Sequence, residues 1–192
     1  MRLLIADDHP LFRLGLRAAL EQEGFSVVGE AGDGEQTVTL GLRLHPEAIL
    51  LDIKMPGRDG ISACRALREG GYAGLIAMVT TFHEPALVHQ AANAGADAYW
   101  SKEMPPDELA HRLKRLRKGL EPRLRAPDLP ELTPREKTVL HLLVQGFSTK
   151  EMAQELGLSP DTVKDHLERL YAKLSARNRV EALERARGLG FL

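Results

Sequence analysis

The feature that most limits how this chain can fold is an alternation repeated five times: a short, nearly all-apolar run followed by a stretch with helical spacing. The strand-like runs are Leu3–Ala6, Ser26–Glu30, Ala48–Ile53, Gly74–Thr80 and Ala98–Ser101. Helical patterns follow each of them: PLFRLGLRAALEQE from Pro10, GEQTVTLGLRL from Gly34, ISACRALRE from Ile61, PALVHQAANA from Pro85 and PDELAHRLKRLR from Pro106. Pro opens several first turns, and Gly24, Gly70 and Gly95 are placed to close last ones. This pattern predicts an α/β, doubly wound, five-stranded parallel sheet. The first, third and fourth runs are apolar almost throughout, as expected where helices cover both faces.

After residue 118 the pattern changes. Residues 119–131, GLEPRLRAPDLPE, hold three prolines and no sustained period, which reads as a linker. Residues 132–192 then carry four short helical stretches and no strand pattern. Thr133 with Glu136, Ser148 with Glu151, and Asn178 with Glu181 have capping-box spacing, and Ser159–Pro160 opens the remaining helix. The expected organisation is an α/β domain at 1–118, a linker at 119–131 and an all-α four-helix domain at 132–192.

Composition narrows the function. Cys64 is the only cysteine, so an internal disulfide or a cysteine-based zinc site is excluded. The longest apolar stretch, LIAMV at 75–79, is far too short for a membrane span, and MRLLIADD lacks a signal-peptide pattern. A cytoplasmic protein with no membrane partner is expected. Residues 1–110 carry 9 Lys+Arg against 16 Asp+Glu, a net of −7; residues 111–192 carry 17 against 11, a net of +6. An acidic front and a basic back suggest different partners for the two units.

The first and third runs end in acid, LIADDHP in Asp7 and Asp8 and ILLDIKMPG in Asp52. In a flavodoxin-like order, 2-1-3-4-5, strands 1 and 3 are neighbours and ligands bind beyond their carboxyl ends. Three carboxylates in one pocket need a cation, and Mg²⁺ suits because it binds one or two carboxylates and fills its shell with waters and phosphate oxygens. Thr80 ends the fourth run and Lys102 follows the fifth. A hydroxyl and an ammonium converging there fit a transferred phosphoryl group. A carboxylate can itself be the nucleophile, and Asp52 is the better candidate because the adjacent Asp7 and Asp8 suit metal ligation.

The stretches ADDHP, LLDIKMPGRDG, MVTTF and GADAYWSKE resemble the receiver domain of two-component response regulators, over residues 1 to about 118. The resemblance implies phosphorylation of Asp52 by a sensor histidine kinase. It also implies Mg²⁺ held by Asp7, Asp8, Asp52 and the Lys54 carbonyl, with phosphoryl contacts from Thr80 and Lys102. Tyr99 matches the aromatic switch position. Many receivers have Pro after the lysine, often with a cis peptide; here Glu103 follows.

In the back half, TKEMAQEL, a turn at Gly157 and PDTVKDHLERLYAKL have helix-turn-helix proportions. Val163, Leu167, Leu170 and Leu174 recur at spacings of 4, 3 and 4, which marks the buried stripe. Asp161, Thr162, Lys164, Asp165, Glu168, Arg169 and Lys173 are left for solvent or a ligand. The two helix starts, with Thr149, Lys150, Thr162 and Lys164, are placed to hold phosphates. LTPREKTVLHLLVQGFSTKEMAQELGLSPDTVKDHLERLYAKL is similar, nearly residue for residue, to the LuxR-type (GerE-like) DNA-binding domain. Receiver plus LuxR-type domain is the arrangement of the NarL/FixJ class of regulators. It implies double-stranded DNA as a partner and a homodimer when active, with the helix from Arg179 at the dimer contact.

Asp165 and Glu168 stand where that family usually has neutral or basic residues. Residues 132–192 carry 10 Lys+Arg against 8 Asp+Glu, a net of only +2; most of the basic excess lies in 111–125. An acid accepts from cytosine N4 but repels phosphates, so modest, salt-sensitive affinity for half-sites with cytosine is expected. Two other functions compete. A Mg²⁺-dependent phosphotransferase would need a second acid two residues after Asp52, where Lys54 stands, so only slow self-phosphorylation and self-dephosphorylation are expected. An adaptor that has lost operator binding would account for the acids of the recognition helix.

Overall fold

The computed structural model describes residues 1–125 and 130–192. Two compact units result. The first runs β1 (Arg2–Ala6), α1 (Pro10–Gln22), β2 (Ser26–Ala31), α2 (Gly34–Leu44), β3 (Ala48–Leu51), α3 (Gly60–Glu69), β4 (Leu75–Thr80), α4 (Pro85–Asn93), β5 (Ala98–Ser101) and α5 (Pro106–Arg117). The strands form one all-parallel sheet in the order β2-β1-β3-β4-β5. A flavodoxin-like α/β unit is the outcome that the alternating runs predict.

The two-residue strand period divides the core into two layers. Leu4, Ala6, Ile49, Leu51, Ile76 and Met78 meet Cys64 and Leu67 of α3 and Ala91 of α4. Leu3, Ile5, Leu50, Ala77, Val79 and Trp100 meet Leu16 and Leu20 of α1 and Leu109 and Leu113 of α5. Trp100 is therefore a core residue. Cys64 is buried, its Sγ 3.4 Å from the Ala94 carbonyl oxygen, and burial pushes its thiol up to about 11.

Boundaries shift where tertiary bonds outweigh local pattern. β3 stops at Leu51, short of the expected Ile53, because the Ile53 N–H turns back to Asp52 Oδ1 (2.7 Å) and the Gly60 N–H donates to Ile53 O. The left-handed residue after α3 is Gly71, at φ 85°, rather than Gly70.

Of the expected linker 119–131, residues 126–129 lie outside the described residues. The part before them is bonded to the first unit. Glu121 pairs with Arg112 and Arg115, and the Leu124 N–H donates to Asp97 O at 2.8 Å while Leu124 packs on the sheet core. Asp97, buried at the start of β5, gathers the rest. Its Oδ2 accepts from the Ile76 N–H (2.9 Å) and Arg68 Nη2 (2.8 Å), and its Oδ1 lies 2.8 Å from Arg123 Nη1. Arg68 also donates to the carbonyls of Tyr72, Gly74 and Gly95. One carboxylate thus ties β4, β5, α3 and the segment after α5 together.

The second unit holds α6 (Pro134–Val144), α7 (Thr149–Leu156), α8 (Pro160–Lys173) and α9 (Arg179–Gly188), making nine helices among the described residues. Val139, Leu143, Met152, Val163, Leu170, Leu174 and Ala182 form its core, with Leu167 partly buried. Capping boxes at Thr133 and Ser148 are complete. That at Asn178 is half made: Asn178 Oδ1 accepts from the Glu181 N–H, whereas Glu181 Oε2 takes the N–H of Arg177, one residue earlier. Arg179 donates to the Leu143 and Phe147 carbonyls and so finishes the end of α6. Lys173 is exposed, as expected, while its Nζ donates to the buried Glu136 Oε2 (2.7 Å) and to Glu131 O (2.8 Å).

These ion pairs make three stability predictions. Asp97→Ala strands a guanidinium and a buried N–H and is expected to cost about 3 kcal/mol in urea unfolding. Arg123→Ala, removing an exposed partner, is expected to cost under about 1 kcal/mol. Burial pushes the Glu136 carboxyl up, but bonds from Lys173 and Thr133 prevail and hold it below the ordinary glutamate value. A depressed folded pKa gives stability that is present above about pH 4.3 and lost as pH falls through the lowered value. Acid titration of the helical unit's unfolding is expected to show that loss, and Glu136→Gln to flatten it.

Candidate phosphoryl site and nucleic-acid face

The site forms where β1 and β3 end side by side. Ala6 pairs with Leu51, so the next residues along each strand, Asp7 and Asp52, leave the sheet together. The backbone holds both: the Asp7 N–H donates to Ala31 O (3.0 Å) and the Asp52 N–H to Ala6 O (2.8 Å). Both carboxylates are buried, and Lys102 lies between them, its Nζ 2.6 Å from Asp7 Oδ2 and 2.7 Å from Asp52 Oδ2. Burial alone would push the Lys102 ammonium down; the bonds to Asp52 and Asp7 overcome it and hold the group above the ordinary lysine value. An ammonium anchored just past β5 thus offsets the repulsion between two strand-end acids.

Asp8 and His9 complete the cluster. One ligand atom each from Asp7, Asp8, His9 and Asp52 lies within 4.8 Å of the others. His9 donates its N–H to Asp7 Oδ1 (2.9 Å), and its Nδ1 stands 2.7 Å from Asp8 Oδ1. That contact lacks hydrogen-bonding alignment, and Asp8 Oδ1 is sealed from solvent with no hydrogen-bond partner among the described residues. An orphaned carboxylate oxygen beside two further carboxylates fits a hard divalent cation. Among the candidates from sequence, the structure brings together Asp7, Asp8, Asp52 and Lys102. Lys54 lines the same cleft, of about 590 Å³. Thr80 ends β4 fully buried, its Oγ1 3.4 Å from the Phe82 N–H, and no hydrogen bond links it to the acids among the described residues. The Tyr99 hydroxyl donates to Phe82 O at 2.7 Å. The peptide after Lys102 is trans, as are all those described.

Sequence reading missed several residues that shape this cleft. The Phe12 ring lies 4.9 Å from Lys102 Nζ and the Phe82 ring 5.4 Å from Lys54 Nζ, so an aromatic face backs each cation. Arg13 donates to the Asp7 carbonyl and lies 3.5 Å from Glu30 Oε2. Gly60 starts α3 directly against the Asp52 backbone, where an added Cβ would sit 1.9 Å from Asp52 O. The second glycine of MPGRDG was the available signal for that approach; Phe12, Phe82 and Arg13 stood beside the motifs without a pattern of their own.

In the helical unit, Gly157 takes the left-handed conformation between α7 and α8, and Ser159 caps α8 by accepting from the Thr162 N–H. Of the expected DNA contacts, Lys150, Lys164, Asp165 and Arg169 are exposed, and Thr149 and Thr162 are half-buried at the two helix starts. Lys164 Nζ lies 3.2 Å from Asp161 Oδ1.

A parallel sheet with acids and a lysine at its carboxyl edge, followed by a helix-turn-helix unit, defines a receiver coupled to a nucleic-acid reader. Comparison with known proteins gives the same class. Residues 3–114 match the family described as response regulator receiver domain, and residues 130–186 match bacterial regulatory proteins of the luxR family. The chain is 35% identical to the nitrate/nitrite response regulator protein NarL of Escherichia coli K12 and 38% to NarP of the same strain. Each match covers 94% of this chain and 92% of the relative. DesR of Bacillus subtilis is 33% identical, with 98% of both chains covered. Among solved structures, an RcsB response regulator of Salmonella typhimurium superposes with a TM-score of 0.83 at 28% identity, covering 97% and 99% of the two chains. An RcsB–DNA complex gives 0.73 at 27%, with 98% of each covered. The chain belongs to the DNA-binding response regulators that join a receiver to a LuxR-type domain, a family of transcription regulators. No helix among the described residues is long and apolar enough to cross a membrane.

Gly60→Ala is expected to drive the start of α3 off the Asp52 carbonyl and to cost about 2 kcal/mol of stability. Phosphoryl labelling should fall with it, more than in Gly15→Ala on α1, where nothing lies within 4 Å of an added Cβ and the backbone is helical. Urea unfolding and intact-mass labelling measure the two effects.

Proposed function

We propose that Asp52 accepts a phosphoryl group from a sensor histidine kinase and that the acyl phosphate controls DNA binding by residues 132–192, with 1–118 as the receiver. The observation that carries this reading is the Lys102 ammonium held between Asp7 and Asp52 at the mouth of the cleft. A carboxylate oxygen of Asp52 forms the new P–O bond as the P–N bond to the donor imidazole breaks. The ring nitrogen keeps that electron pair and takes up a proton. Lys102, already charged, is placed to move from carboxylate pairing to the oxygens of the arriving group. Asp7, Asp8, Asp52 and the Lys54 carbonyl would hold Mg²⁺, which when bound neutralises charge on the phosphoryl oxygens.

Thr80 and Tyr99 are the proposed switch. Phe82 joins them, offering its N–H to the hydroxyl of one and its carbonyl to the hydroxyl of the other. A Thr80 hydroxyl drawn to the phosphoryl group would release the Phe82 N–H and loosen the loop that Tyr99 grips. For the kinase, Leu11, which lines the cleft, is 84% exposed and Leu14, on the same helix α1, is 63% exposed; together they offer an apolar seat. Val180, 65% exposed on α9, suits the symmetric contact of a homodimer on paired half-sites. Thr149, Lys150, Thr162, Lys164, Asp165 and Arg169 form the proposed DNA face. Slow self-phosphorylation from small donors and self-dephosphorylation complete the cycle.

The test is intact-mass spectrometry of the full chain after incubation with acetyl phosphate and Mg²⁺, followed by a mobility-shift titration. One phosphoryl group is expected on wild type and none on Asp52→Asn, with duplex affinity rising about tenfold on labelling. An unlabelled wild type, or equal labelling of Asp52→Asn, would refute the assignment.

A further inference from the structure

We propose that Asp165 is a specificity-determining residue that reads cytosine in the major groove. The inference rests on the reading above that α8 enters that groove. α8 turns Val163 and Leu170 into the core, with Leu167 partly buried, and exposes Asp161, Lys164, Asp165, Glu168 and Arg169 on the opposite side. Part of the donor capacity around this face is committed, while Arg169 stays exposed one turn beyond Asp165. Lys164 Nζ is drawn to Asp161, Lys173 donates to Glu136 and Glu131, and the Thr162 hydroxyl lies 2.8 Å from Ser159 Oγ at the cap. Asp165 and Glu168, three residues apart and hence neighbours on the surface, engage no hydrogen bond or ion pair among the described residues.

The centre of the exposed face is therefore acceptor-rich, and an ionised carboxylate accepts without donating. Guanine offers N7 and O6, both acceptors, and thymine offers O4 and a methyl group, so both oppose a carboxylate. Adenine offers the N6 amine but places the N7 acceptor beside it. Cytosine presents its N4 amine with no acceptor of its own on that edge. Asp165 is the sixth residue of α8, in the half of a recognition helix that approaches base edges. Its short side chain also limits the reach to one base. Because carboxylates repel the phosphates, the same residue weakens binding to every other sequence; discrimination increases as overall affinity falls.

The test is selection of the full, acetyl phosphate-treated chain on a randomised duplex library, using wild type, Asp165→Asn, Asp165→Ala and Arg169→Ala. Far-UV circular dichroism checks that each variant is folded. Wild-type sites should share a cytosine at one fixed place in each half-site, and replacing it by thymine should lower affinity about tenfold. Asp165→Asn should move the preference there to adenine, whose N6 and N7 match an amide, and Asp165→Ala should erase it; the rest of the motif should stand. If Asp165→Asn keeps the same motif and binds all duplexes uniformly tighter, the acid is only a repeller and the proposal fails. If, in addition, Arg169→Ala leaves affinity unchanged, placing α8 in the groove fails with it.

Discussion

Two carboxylates that leave adjacent parallel strands within one residue of each other's register cannot both stay ionised and buried without a counter-charge. Lys102 supplies it. Because the lysine sits just past β5 while the acids end β1 and β3, the pairing spans four of the five strand positions and depends on the strand order. A sheet wound otherwise would bring these charges out at different places. The tertiary fold and the chemistry of the cleft are therefore one problem: the sheet positions the charges, and their mutual attraction favours that arrangement.

The helical unit solves a different problem. With few residues to bury, it relies on helix ends that satisfy their own backbone and on side chains that close a neighbour's carbonyls. Thr133 and Ser148 make reciprocal caps, Arg179 finishes α6, and Lys173 crosses to the start of α6. Cationic groups spent on internal closure are not available to a polyanion. Of the ten cationic residues in 132–192, Arg179 and Lys173 are thus engaged in holding a small helical core shut.

The course of the chain was legible because periodicity is local. Alternating apolar runs specify the strands, caps specify the helix starts, and acids at strand ends need only the strand order to converge. Asp7, Asp8, Asp52 and Lys102 could be placed together on that basis. The residues that escaped notice act over long sequence separations. Arg68 and Arg123 converge on Asp97 from distant parts of the chain; Phe12 and Phe82 back cations that lie far along it; Gly60 is defined by the Asp52 carbonyl it touches. None of these has a repeat or a charge pattern to betray it. The bond from Lys173 to Glu136 is hidden for the same reason, since on its own helix Lys173 looks like any solvated lysine.

The segment after α5 bears on how regulators of this kind can be cut and joined. Glu121, Arg123 and Leu124 belong by their bonds to the sheet unit, even though their prolines and irregular pattern make them look like spacer. A hybrid protein spliced at the end of α5 would discard half of a clasp and leave an apolar notch open beside the last strand. A junction placed beyond residue 125 would carry the clasp with the sheet, so that an exchanged output module inherits an intact sensor rather than a frayed one.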